Sequence, residues 1–113
     1  MTQQEEIAKL DAQYRQLELS DIMEVASTQA GRRFLQRLFR STYIFEPVCC
    51  FEETHKTAFN EGKRNVGLEF YNDLNKVAPE KMISIQREVR EREEEYVRKL
   101  GRIADLADDG NED

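Results

Sequence analysis

Ile7, Leu10, Tyr14 and Leu17 recur at intervals of three and four residues, a narrow apolar stripe that predicts an amphipathic helix over residues 3–18. Ser20 is placed to cap a short helical turn over 21–26, with acids at its positive end. Ser27 or Thr28 can cap the next helix, 28–41, to which Ala30, Phe34, Leu35, Leu38 and Phe39 give a broad apolar face. Periodicity then lapses: Tyr43, Ile44, Phe45, Val48, Cys49, Cys50 and Phe51 surround Pro47 with no helical spacing, which reads as a connector with buried anchors or a short extended segment. Phe59, Val66, Phe70, Leu74 and Val77 restore helical spacing over 55–77. Gly62 and Gly67 each weaken that helix by about 1 kcal/mol relative to alanine, a sign of close approach by another backbone. Pro79 cannot continue that helix but suits the first turn of the next. Met82, Val89, Tyr96 and Ile103 then fall seven residues apart in a helix over 79–106. Ile85, Val97, Leu100 and Leu106 partly fill the stripe, while Arg92 and Glu93 interrupt it, so the heptad seam is incomplete. Glu88–Arg92, Glu94–Arg98 and Glu95–Lys99 are in the favourable order for pairs four apart. Residues 107–113 read as an acidic flexible tail.

The expected architecture is all-α: a small helical bundle forming a single domain over 1–113, with a C-terminal antiparallel pair of long helices, 55–77 and 79–106. A connection this short leaves consecutive helices beside each other. The core expected from the stripes contains Phe34, Leu38, Phe59, Val66, Phe70, Leu74, Met82, Ile85 and Val89.

Composition supports helix over sheet, with 35% charged residues and only 5 Gly and 2 Pro in 113 residues. A net charge of −6 weighs against a general binder of nucleic acid or of an anionic membrane, while leaving room for a local basic patch. Residues 1–6 are polar and acidic, so no secretory signal is expected, and no apolar run is long enough to span a bilayer. A cytoplasmic location follows as the expectation. Cys49 and Cys50 are adjacent. Consecutive α-carbons lie about 3.8 Å apart, short of the roughly 4.4–6.8 Å that a disulfide takes, so both read as reduced thiols.

The single histidine, His55, lies near Cys49, Cys50, Glu52 and Glu53. A thiol–imidazole pair is the functional reading; a small apolar Cys-Cys pair in the core, with a histidine near a helix start, is the plain one and is preferred. Zinc needs four ligands at spacings that two adjacent cysteines and one histidine do not offer. No phosphate-cradling glycine loop, nucleophile elbow or His-Glu-x-x-His pair is present. No catalytic residue, metal or cofactor is therefore expected. The more informative feature is the acid-free stretch 29–45, which carries Arg32, Arg33, Arg37 and Arg40. These four, with the smaller basic spot Lys63-Arg64, are the candidate partner-binding residues. One reading is phosphate contact, since the short helix before Ser27-Thr28 gives the segment a helix-turn-helix cast. The other is pairing with acids, either the chain's own or those of a protein partner.

Two blocks carry a resemblance. Residues 21–35, with Gly31-Arg32-Arg33-Phe34-Leu35, and residues 57–68, with Phe59-Asn60-Glu61-Gly62 and then Asp73-Leu74 and Pro79-Glu80, are together similar to a family of small tailed-bacteriophage proteins typified by a Bordetella phage protein. The resemblance covers roughly 19–82; the first helix and the acidic tail lie outside it, and Val48-Cys49-Cys50-Phe51 and the long charged last helix differ from its usual pattern. The family is encoded among head and DNA-packaging genes and carries no assigned enzymatic activity. It implies a non-enzymatic virion-associated or assembly protein working in the host cytoplasm or the virion. Its implied partners are other phage head or neck proteins or further copies of the chain, with a nucleic-acid-binding or regulatory protein using helix 28–41 as the alternative.

Overall fold

The computed structural model describes residues 1–46 and 53–110, and among these it contains four α-helices and no strand. The first helix, α1, runs unbroken over Gln3–Ala26. The separate turn expected after Ser20 is not there: no glycine or proline interrupts the segment, and Leu19, Ile22 and Ala26 continue as one buried side. Thr2 caps α1, its hydroxyl accepting the Glu5 N–H at 3.2 Å. Thr28 does the same for α2 (Gln29–Ser41), accepting the Gly31 N–H at 3.0 Å. Gly31 is required there because a Cβ would collide with the Val25 carbonyl oxygen at the end of α1.

At its other end α2 closes in a Schellman arrangement. The Ile44 N–H donates to the Phe39 carbonyl at 3.1 Å and the Tyr43 N–H to that of Arg40 at 3.3 Å. Ile44 and Phe39 are both buried, the apolar contact that accompanies this cap. Tyr43 takes the left-handed position, φ 58°, that glycine usually fills.

The third helix, α3, spans Thr54–Val77, and the fourth, α4, spans Pro79–Gly110, continuing through part of the segment expected to fray. A single residue, Ala78, separates them. Its N–H still donates to the Leu74 carbonyl at 2.8 Å, and Pro79, lacking an N–H, starts the new helix without leaving a donor unpaired.

The core gathers at this joint: Ile22 and Ala26 from α1, Leu35 and Phe39 from α2, Ile44, Leu74 from α3, Ala78, and Met82 and Ile85 from α4. Phe39 and Leu74 are its fully buried large side chains, and the Tyr71 ring meets Phe39 edge-on at 5.6 Å. Of the expected core, Leu74, Met82 and Ile85 are buried, Val89 packs against the cluster, and Leu38 is half-buried. Phe34, Phe59 and Val66 are not core: they are 61%, 64% and 54% exposed, and Phe70 is exposed as well. On α2 the buried edge of the apolar face is Leu35–Phe39, one step round from Phe34. On α3 the helix turns its smaller side inward: Gly67, Leu74 and Ala78 approach the cluster, and a Cβ on Gly67 would collide with the Thr42 hydroxyl and stand 2.9 Å from Ile44 Cδ1. Gly62 faces open space and plays no such part.

Two charged pairs fix the helices around the joint. Asp73 on α3 accepts both terminal nitrogens of Arg15 on α1. Glu88 on α4 accepts Arg32 Nε at 3.0 Å, with Arg32 Nη2 at 2.8 Å, and Arg32 Nη1 donates to the Ala26 carbonyl at 3.1 Å. The molecule is elongated: 85 × 40 × 16 Å, with a radius of gyration of 21.0 Å. A compact domain of this length would have a radius of about 13 Å.

Candidate interaction surfaces

Because the core occupies only the joint, both ends of the chain carry apolar residues that nothing among the described residues covers. On α1, Ile7, Leu10, Tyr14 and Leu17 form the expected stripe, and all four are exposed. On α4 the stripe that begins inside the core as Met82 and Ile85 continues as Tyr96, Leu100, Ile103 and Leu106, with Tyr96 and Ile103 each 63% exposed. On α3, Phe59, Val66 and Phe70 share one face turned to solvent. Scattered exposed apolar residues are ordinary, but aligned sets on single helix faces mark places where another surface sits.

The arginines separate into two groups. Arg32 is not part of a partner-facing strip: its side chain is 15% exposed and bound to Glu88, itself 10% exposed. The same contact removes Glu88 from the Arg92 pairing expected along α4; of the other two expected pairs, Glu95–Lys99 forms at 3.1 Å. The hydrogen bond from Arg32 holds the Glu88 carboxyl below its ordinary value of 4.5, against the opposing effect of burial and with help from the positive charges of Arg32, Arg87 and Arg92. Arg33, Arg37 and Arg40 are exposed, and no ion pair reaches them from the described residues. Lys63 is half-buried with its ammonium 4.7 Å from the Phe59 ring centre and 5.7 Å from that of Tyr43, a cation–π setting that links the basic spot to the α3 stripe. Arg64 beside it is half-buried. No sequence pattern singled out Asp73 and Arg15, since their partnership crosses 58 positions.

A concave site lies between α2 and the first half of α4, with a volume of about 390 Å³. Its floor is Phe39, Met82, Ile85 and Val89, and its rim carries Arg40 and Glu93. His55 is exposed at the start of α3 among Glu53, Thr54 and Lys56, while Cys49, Cys50 and Glu52 lie outside the described residues. Among the described residues no three potential ligands are grouped to hold a metal ion, and no helix is long and apolar enough to cross a membrane.

Comparison with characterised proteins and with solved structures finds no match. A family model does match, over residues 22–84, which takes in the last part of α1, all of α2 and α3, and the opening turns of α4. That span holds nearly the whole core and both ends of the Gly31 and Gly67 contacts, and leaves outside it most of the two apolar arms. The chain belongs to the Bbp19-like phage protein family.

Proposed function

We propose that the protein is a non-enzymatic component of a tailed phage, associated with the virion or its assembly in the host cytoplasm, that works through protein–protein contacts. The observation that carries this reading is the division of the chain into a small core at the α3–α4 joint and aligned apolar faces on α1, α3 and α4 that lie outside it. Aligned exposed apolar faces of this kind are where another macromolecule docks. Head and neck proteins of the phage are the partner class. The exposed Arg33, Arg37 and Arg40 supply a charged rim suited to acidic surfaces, because guanidinium pairs bidentately with carboxylate.

Placing Phe59→Asp with Val66→Asp tests the apolar face, and Arg33→Glu with Arg37→Glu tests the rim. All four positions are exposed, so helical content and melting temperature should stay near those of the parent, as expected where exposed charges contribute only about 0–1 kcal/mol. Each double variant should lose co-purification with phage head or neck components. If the parent chain binds none of them at any stage of infection, the reading fails. The same arginine face could serve nucleic acid instead; DNA affinity falling steeply with salt, together with normal particle incorporation of the Phe59/Val66 variant, would favour that second reading.

A further inference from the structure

We propose that the chain assembles head to tail, with the exposed apolar stripe of α1 in one copy lying along the exposed half of the α4 seam in the next. Each surface lacks a cover within its own chain. The α1 stripe, Ile7, Leu10, Tyr14 and Leu17, lies roughly 130° round the helix from the side that packs, Leu19, Ile22 and Ala26. Arg15, bound to Asp73, is on that packed side too, so drawing α1 closer to α3 would leave the stripe in solvent. On α4 the side buried at Met82 and Ile85 continues as Tyr96, Leu100 and Ile103, all exposed. Within one chain α1 packs on α2 and α3 rather than along α4, so stripe and seam do not cover each other there.

Charge selects what covers each. Every charge within about 80° of the α1 stripe is acidic, namely Glu6, Asp11, Glu18, Asp21 and Glu24, while Lys9 and Arg15 lie farther round. The α4 seam is bordered on one side by Arg92 and Lys99. Glu93 borders the other side, at the end next to the core, where it shares the rim of the concave site with Arg40. Asp11 and Glu18 are seven residues apart on one flank of their stripe, as Arg92 and Lys99 are on theirs. A parallel pair can set Leu10 level with Tyr96, Tyr14 with Leu100 and Leu17 with Ile103. Flanking residues of such a pair meet across the seam, and this one register joins Asp11 to Arg92 and Glu18 to Lys99. Their partners within the chain, Arg15 for Glu18 and Glu95 for Lys99, form exposed ion pairs that compete weakly. Run antiparallel over the same overlap, Arg92 and Lys99 face Ser20 and Gln13 instead. Two copies of α1 set acid against acid in either direction, and two copies of α4 set Lys99 against Lys99 or Glu93 against Glu93. Stripe on seam is therefore a heterologous contact, which leaves one stripe and one seam free on any open assembly and none in a closed ring. This inference rests on the contact-based function proposed above and names a second copy of the chain as one partner.

The test is sedimentation velocity on the full chain and its variants. The parent should associate beyond a dimer at micromolar concentration. Leu10→Gln with Leu17→Gln blocks the stripe, and Leu100→Gln with Ile103→Gln blocks the seam; all four positions are exposed, so helical content should hold. Each blocked variant alone should be monomeric, because every contact needs both surfaces. Their equimolar mixture should give a one-to-one dimer and nothing larger, since one intact stripe then meets one intact seam. A like-with-like contact would instead persist in one of the two variants alone. For the register, Asp11→Arg and Arg92→Glu should each weaken association about fivefold, and both together in one chain should restore it. A monomeric parent overturns the proposal, as does self-association of either blocked variant, absence of the mixed dimer, or a double reversal no better than the single ones. A monomeric parent that still co-purifies with phage head or neck components removes this contact and leaves the proposed function standing. An assembling parent that binds none of those components does the reverse.

Discussion

Tyr43 holds a backbone conformation, φ 58°, that costs an L-residue roughly 1–2 kcal/mol. The Schellman arrangement demands that conformation, and glycine would meet the demand without cost. What the tyrosine adds is a ring beneath the Lys63 ammonium and a wall of the concave site between α2 and α4. At 5.7 Å the cation–π contact is worth about 0.5 kcal/mol at such a partly exposed place, less than the strain. Tyr43→Gly should therefore raise stability, by about 0.5–1 kcal/mol, seen as a higher urea midpoint at unchanged slope. A lower midpoint would mean that the ring's packing outweighs the strain. Tyr43→Val, β-branched in the same conformation, should move the midpoint down.

At the scale of the helices, the Arg32–Glu88 pair ties α2 to α4. Its carboxyl is held below the ordinary 4.5, so the folded state binds its proton more weakly than the unfolded chain does. The contribution to stability is thus complete above that ordinary value and is lost as the pH falls through the lowered one. Urea midpoints between about pH 7 and about pH 3 should show this loss, and in Glu88→Gln the loss assigned to this group should vanish. Arg32→Met, which strands a nearly buried carboxylate, should cost about 2–3 kcal/mol at neutral pH, and adding Glu88→Leu should return most of it. A double variant no better than the single one would count against the tie. The element boundaries were largely legible in the sequence, because Thr28 and Pro79 are local signals that act where they stand. Which face of each helix turns inward was less so. The stripe Phe59–Val66–Phe70 is the most apolar on α3, yet the side that packs is the one where Gly67 and Ala78 allow close approach, and small residues weigh little in any count of hydrophobicity. The basic strip was legible in part: Arg33, Arg37 and Arg40 are exposed as expected, but nothing local in sequence marked Glu88, 56 positions away, as the partner of Arg32.

Taken whole, the molecule has a folded centre and two helical arms, and stability should be distributed accordingly. Amide exchange at a concentration well below any self-association should show strong protection around Phe39, Leu74 and Ile85 and fast exchange over the opening turns of α1 and the second half of α4, where isolated helices fray. Uniform protection from end to end at that dilution would contradict the division. The single-residue joint at Ala78 has a further consequence, for the order in which the chain takes shape as it is made. Ile22, Leu35 and Phe39 are all made before Leu74, Met82 and Ile85 exist to complete the cluster they share. The first two helices cannot therefore settle on their own, and their apolar sides must wait, accessible to chaperones or to neighbouring nascent chains, until synthesis has passed the bend.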